Sequence, residues 1–291
     1  MAILQIVLSG VAQGCIYGLI ALGFVLIYKA TETVNFAQGD LMMVGGFAAL
    51  MLLNVWGLPL AVALPLAIAG MGLLGWALER AVIQPVLGQP AFAIVMLTLG
   101  LGYIARGAIT MLPNVGTDTH ALNLPYTGPV ALGGGVVVGV EQLVVIGATL
   151  LLCVGLYALF RYTRVGVAMQ AVSQNQLAAY YMGIPVRRLN GYVWALAAGV
   201  AAVAAVLLAP ITFVHANMGL IGLKAFPAAV IGGFGSLPGA LVGGVIIGVV
   251  EALAGFYLPD GVKDVSAYVL VLVMLMVRPH GLFGERLSKK V

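Results

Sequence analysis

Three ionisable side chains, Arg106, Lys224 and Glu251, lie inside long apolar stretches. An isolated charge there is costly unless it is paired, hydrated or able to reach an interface. Glu251 is therefore expected to have a cationic partner. Lys224, which enters a Gly- and Pro-rich segment, is the better choice, while Arg106 stands nearer a span end and is expected to reach for the interface. Such residues can serve solute passage, proton transfer or a structural ion pair. A second polar group, Asn35, Gln38 and Asp40 in NFAQGDLMMVGGF (35–47), opens an apolar helix. It reads equally as an N-cap with a first-turn carboxylate or as the lining of a path. The remaining chemistry is sparse. His120, His215 and His280 are far apart, and Cys15 and Cys153 occupy separate apolar segments, so no metal site is expected. No GxxxxGK[ST] phosphate loop, HExxH or nucleophile elbow occurs, so the chain is not read as an enzyme, and any energy from ATP must come from another polypeptide.

The elements that must position these residues are membrane spans. Of 291 residues, 63% are apolar and 8% charged, 40 are glycine, and the mean hydropathy is +1.14, which together describe a chain solvated by lipid. A net charge of +4 is explained by membrane orientation and excludes nucleic acid as the expected partner. At about 20 apolar residues per span, helices are expected near 3–28, 37–55, 59–79, 91–112, 140–160, 187–209, 237–257 and 264–278, with a ninth, shorter element at 220–234. The first is a retained span, not a cleaved signal. The expected fold is thus all-α, a polytopic integral membrane protein with a single transmembrane domain over 1–291. Lys29, Arg80, Arg161, Arg164, Arg187, Arg188, Arg278, Arg286, Lys289 and Lys290 fall on one side and Lys263 on the other. The basic side is cytoplasmic by the positive-inside rule, carries the C-terminus, and leaves 113–139 as an external loop.

The short element would reach only about 22 Å as a helix, less than a bilayer core, so it must be broken, re-entrant or shielded. Pro227, Gly232, Gly233, Gly235, Pro238 and Gly239 are its candidate breaks, lining a path or merely permitting close helix packing. Met43–Phe47 (MVGGF) resembles Val230–Phe234 (VIGGF), which hints at an internal repeat with a path between its halves.

Between Arg161 and Asn190 the apolar chain turns polar, so this stretch lies in water or at an interface. Ala171, Ala178, Ala179 and Met182 fall on one face of an expected short helix, with Gly166 and Gly183-Ile184-Pro185 as stops. The unit reads as a lever that docks on a partner, or else as an amphipathic helix resting on the bilayer.

VNFAQGD (34–40), GVAMQA (166–171), AAYYMGI (178–184), KAFPAAVIGGFGSLPGALVGG (224–244), EAL (251–253) and RPHGLFG (278–284) resemble, in order and spacing, the LivH-like permease subunits of ABC importers for branched-chain and related hydrophobic amino acids. The resemblance covers nearly the whole chain. It implies a multi-pass protein of the bacterial inner membrane, paired with a second permease subunit, two cytoplasmic ATPases and a periplasmic binding protein. ATP and Mg would be used by the ATPases, and this chain would bind no cofactor. It implies ATPase coupling through Gly166, Ala168, Ala171, Asn175, Ala178, Ala179, Met182, Gly183 and Ile184. A translocation path or gate would use Asn35, Phe36, Gln38, Gly39, Asp40, Lys224, Phe226, Pro227, Gly232, Gly233, Gly235, Pro238, Gly239 and Glu251. One departure stands out: the coupling stretch carries Gln170, Gln174 and Asn175 where family members often carry an arginine and acidic residues. Rival readings are an ion-coupled secondary transporter or channel, which needs a protonatable site, and a passive structural subunit.

Overall fold

Long uncharged runs in lipid satisfy their backbone only by internal hydrogen bonding, and helices result. The computed structural model describes residues 2–113, 115–126, 128–131, 137–259 and 261–284. Among these, seven helices are long and apolar enough to cross a membrane, and two shorter apolar stretches, Ala216–Gly232 and Val265–Val277, accompany them. In chain order the helices are α1 (Ala2–Thr31), α2 (Gln38–Leu50, prolonged by a π turn to Val55), α3 (Leu60–Leu78, prolonged by π and 3-10 turns to Val86) and α4 (Ala91–Thr110). There follow α5 (Val140–Tyr162), α6 (Arg164–Gln174), α7 (Gln176–Tyr181), α8 (Val186–Thr212), α9 (Ile221–Gly232), α10 (Leu237–Tyr257) and α11 (Val262–Val277). Among the described residues, β1 (Pro129–Ala131) pairs antiparallel with β2 (Val137–Gly139) between α4 and α5.

Hydrogen bonds between connections sort the helix ends onto two faces. On one, Asn54 at the end of α2 donates to Ala121 O (2.8 Å), His120 and Val214 pair as an isolated bridge, and Gln142 of α5 donates to Ser9 of α1 (3.1 Å). Within this loop face, burial pushes the Tyr126 phenol above its ordinary value. On the other, Gln176 of α7 donates to Ala30 O at the end of α1, and Leu282 N reaches Ile231 O at the end of α9 (2.8 Å). Arg161, Arg164, Arg187 and Arg188 stand at helix ends on this second, basic face; Arg286, Lys289 and Lys290 lie outside the described residues.

Helix α1 is the axis of the body: its most apolar window is 89% buried, against 17% for those of α4 and α5, which form an exposed periphery. In lipid no hydrophobic drive separates helix from solvent, so association depends on close packing by small residues. Gly10, Gly14 and Gly18 of α1 meet Gly244 and Gly248 of α10, and a Cβ on Gly14 would stand 2.6 Å from Val245 Cα. A similar contact joins α3 to α8, where a Cβ on Gly75 would approach Trp194 O to 2.5 Å.

Four expectations need correction. The irregular part of the short element is not its Gly/Pro cluster but the stretch before it. After α8 the chain turns at Phe213 (φ 60), passes through a five-residue 3-10 turn at Ala216–Leu220, and only then begins the 12-residue α9. These two pieces span about 10 Å and about 18 Å, enough together to carry the chain from the loop face to the basic face. Gly232 ends α9 against Gly239, Gly233 (φ 96) and Gly235 lie in the turn, and Pro238 starts α10, so the cluster forms a tight turn at the basic face. MVGGF and VIGGF are not equivalent either: Gly45 lies inside α2 against Ala202, whereas Gly233 terminates α9. The lever is two helices, not one. Thr163 caps α6 by accepting from Gly166 N (3.0 Å), Asn175 caps α7 by accepting from Ala178 N (2.9 Å), and Gly166 lies within α6. The bend at Asn175 sends Ala179 into the body and leaves Ala178 exposed, so the two do not share a face with Ala171. Finally, Asn35 is not the N-cap of α2. Ala37 holds that place, and Asn35 Oδ1 accepts from Ala37 N (3.1 Å) one step earlier.

Candidate functional site

Two helices begin inside the body instead of at its faces. Gln38, first residue of α2, donates to Ala197 O (3.2 Å) halfway along α8, and Gly39 abuts Gly219 and Gly222 at the entry to α9. Only a contact without Cβ atoms allows this approach, because a side chain on Gly39 would overlap the Gly219 carbonyl. The chain running 32–37 back into the body and the 3-10 turn at 216–220 therefore deliver two helix N-termini, each with unsatisfied N–H groups and a partial positive charge, to one place at mid-depth.

Asp40 stands there. It is in the first turn of α2, its carboxylate lies against Gly219 and Gly102, and its Oδ1 accepts from Arg106 Nη2 at 2.8 Å. Arg106 is thus engaged by a carboxylate 66 residues away, not simply reaching for an interface as the sequence suggested. Its Nε is buried without a partner, and its guanidinium lies 5.8 Å from the Tyr103 ring centroid. The second charged pair is the expected one: Lys224 Nζ of α9 lies 3.7 Å from Glu251 Oε1 of α10. Glu251 is 2% exposed and its Oε2 lacks a hydrogen-bond partner, whereas the Lys224 side chain is 31% exposed, so the pair opens on the lysine side.

Toward the basic face the polar level gives way to aromatic rings centred on Phe226 of α9. Its centroid lies 5.5 Å from Phe36, 5.8 Å from Phe24 and 5.7 Å from Phe234, and Tyr28 continues the cluster at 4.8 Å from Phe234. Edge and tilted contacts of this kind hold rings together through their quadrupoles. Pro227, the next residue, removes a helical hydrogen bond at this level.

At the basic face the α6–α7 hairpin projects between α5 and α8. Met169, Val172 and Ala179 are buried against the body, Gln176 is tied to the end of α1, and Gly183 (φ 80) ends α7 in a conformation suited to glycine. Leu177, Tyr180, Tyr181 and Met182 are instead 65–82% exposed, a compact apolar surface on a segment rich in neutral polar groups. Of the residues singled out in the sequence, Ala168, Ala171 and Ile184 are half-buried supports, while Ala178 and Met182 face outward. The charge-poor Gln174–Asn175–Gln176 run has a local account: it caps the bend and anchors it.

Sequence reasoning passed over the two tyrosines and Leu177, whose signal was their spacing of three and four around Ala178. It also passed over Glu79, 1% exposed at the end of α3 beside Gly191, with Oε1 lacking a partner as do the neighbouring Asn190 Oδ1 and Trp194 Nε1. The adjacent Arg80 lies over Trp76, its guanidinium 5.7 Å from the ring centroid.

Residues 6–278 match the family model described as the permease component of branched-chain amino acid transport systems. The high-affinity branched-chain amino acid transport system permease protein LivH of Escherichia coli is 32% identical over 99% of this chain and 97% of its own length. BraD of Pseudomonas aeruginosa, of the same description, is 31% identical over 99% of this chain and 98% of its own. The fructose import permease protein FruF of Bifidobacterium longum is 30% identical over 81% of this chain and 66% of its own. A multi-helix body whose helix starts meet at a charged mid-depth level, matched to these permeases along its length, belongs to the family of permease components of branched-chain amino acid ABC transport systems.

Proposed function

We propose that this chain translocates branched-chain or related hydrophobic amino acids, delivered by a periplasmic binding protein, by alternating access driven by two separate ATPase subunits. The observation that carries the reading is the α6–α7 hairpin: four exposed apolar residues on a bent unit inserted between two spans and tied to central α1. Such a unit transmits the movement of a docked partner into the body. The basic face is cytoplasmic, by the excess of arginine and lysine at its helix ends. The binding protein meets the loop face, and a second permease subunit completes the path. Asn35, Phe36, Gln38, Gly39, Asp40, Lys224, Phe226, Pro227 and Glu251 line or gate that path. ATP and Mg belong to the ATPases, and this chain contributes no chemistry to their hydrolysis. The polar level suits the charged ends of an amino acid and the aromatic level suits its side chain.

The test is ATP-dependent uptake of radiolabelled leucine into proteoliposomes holding the chain with its co-purifying subunits and added binding protein. Uptake abolished by a non-hydrolysing ATPase variant supports the reading; uptake of fructose and not of leucine would replace the substrate class. A second reading rests on the buried, half-partnered Glu251: an ion-coupled carrier, which requires leucine flux under an ion gradient without ATP.

A further inference from the structure

A cleft of about 990 Å³ opens on the basic face between the end of α1, the α3–α4 connection, α7 and the start of α8. Its lining carries opposite charges that do not neutralise each other. Glu32 stands on one wall and Arg187 and Arg188 on another, and among the described residues none of the three forms an ion pair. Both arginines lie in the first turn of a 27-residue helix, where the helix dipole already favours an anion, so positive charge accumulates there without a protein partner. Glu32 is held at φ 53, an unfavourable conformation for a side chain with a Cβ and one that tends to persist where a site requires it. Asn190, 3% exposed, closes the inner wall of the cleft. Leu87, Ile94 and Leu177 supply apolar wall.

An anion-seeking corner, a separate carboxylate and apolar wall are together complementary to a zwitterion with a hydrocarbon tail. We propose that this cleft binds a free α-amino acid on the basic face, its carboxylate toward Arg187 and Arg188 and its ammonium toward Glu32. The site is distinct from the mid-depth ion pairs. Because Leu177 and Tyr180 of the coupling hairpin form part of its wall, an occupied cleft ties α7 to α1 and α8 and restrains the hairpin. Released amino acid then slows further uptake from the side on which it accumulates. This regulatory consequence rests on the transport reading above; the binding itself does not. The same chemistry, anion plus ammonium, is carried by a phosphatidylethanolamine headgroup, and the experiment separates the two sources.

Equilibrium binding of radiolabelled leucine is measured on the complete complex, without binding protein or ATP, in nanodiscs of phosphatidylcholine and phosphatidylglycerol with and without phosphatidylethanolamine. Expected is saturable, weak binding in both, reduced about fivefold or more by Glu32→Gln and by Arg187→Gln/Arg188→Gln. A tenfold excess of 4-methylvalerate, which lacks the ammonium, or of isoamylamine, which lacks the carboxylate, should fail to compete. Binding insensitive to all these variants, or absent in both lipids, overturns the proposal. Binding abolished by phosphatidylethanolamine assigns the cleft to the headgroup and overturns it as well. Vesicles preloaded with leucine should then show slower ATP-driven uptake in the wild type and not in Glu32→Gln. Loss of all ATP-driven uptake with variant-sensitive binding intact would refute the transport reading and leave the cleft standing.

Discussion

Replacing Arg106 with leucine leaves Asp40 as a carboxylate at mid-depth with its cation gone. The pair is short, 2.8 Å, and only 23% and 13% exposed at the two side chains, so solvent compensates little of the loss. Breaking a fully buried pair costs about 3–5 kcal/mol; the residual exposure and the two helix N-termini beside Asp40 reduce this to roughly 2–3 kcal/mol. Asp40→Asn, which keeps the shape and a hydrogen-bond acceptor but leaves Arg106 unpaired, should cost about 2 kcal/mol. The double variant removes both charges and should cost no more than either single, a coupling of about 2 kcal/mol. At roughly 2 °C per kcal/mol for a chain of this size, each single lowers the Tm of the detergent-solubilised protein by about 4–6 °C, and the double by no more. A thermal-unfolding cycle reads this directly. Additive losses in the double variant would refute the claim that the pair, and not each residue separately, fastens α4 to the start of α2.

Three further outcomes follow from the geometry. Lys224→Met leaves Glu251, 2% exposed, without its cation and should destabilise by about 3 kcal/mol, whereas Lys224→Met with Glu251→Gln should recover most of it in the same melt. Ala178→Trp, at an exposed site, should leave insertion and Tm unchanged while uncoupling ATP hydrolysis from uptake, and Ala179→Trp, at a buried one, should lower the Tm; unchanged uptake in Ala178→Trp would remove the hairpin as the coupling element. Gly14→Val forces a branched side chain where even a Cβ stands 2.6 Å from Val245 Cα, and should reduce the yield of folded protein by fluorescence-detected size exclusion at a cost of about 3 kcal/mol or more.

Reading the sequence found the spans because length and apolarity alone force helices in lipid, and it paired Lys224 with Glu251 because few charges were available at that depth. It missed the Asp40–Arg106 pair for a definite reason: a carboxylate in a helix's first turn has a sufficient local explanation, and nothing local points to a partner 66 residues on. The bend at Asn175 was equally hidden, since Asn is tolerated within short helices and becomes a cap only when the backbone breaks there. Glycines were visible but not their use. Gly39 permits a helix crossing, Gly14 a helix seam and Gly183 a stop, and these roles depend on what lies opposite.

The seam between α1 and α10 has a consequence for biosynthesis. About 200 residues separate the end of the first helix from the start of the helix whose glycines it grips. At 5–20 residues per second, the ribosome takes roughly 10–40 s to supply that partner. During this interval the groove of Gly10, Gly14 and Gly18 is filled by lipid or by a temporary neighbour. Completion of the body is therefore a late displacement, and a chain arrested before Leu237 would present an unfilled groove at its own axis, a mark by which membrane quality control could tell unfinished copies from finished ones.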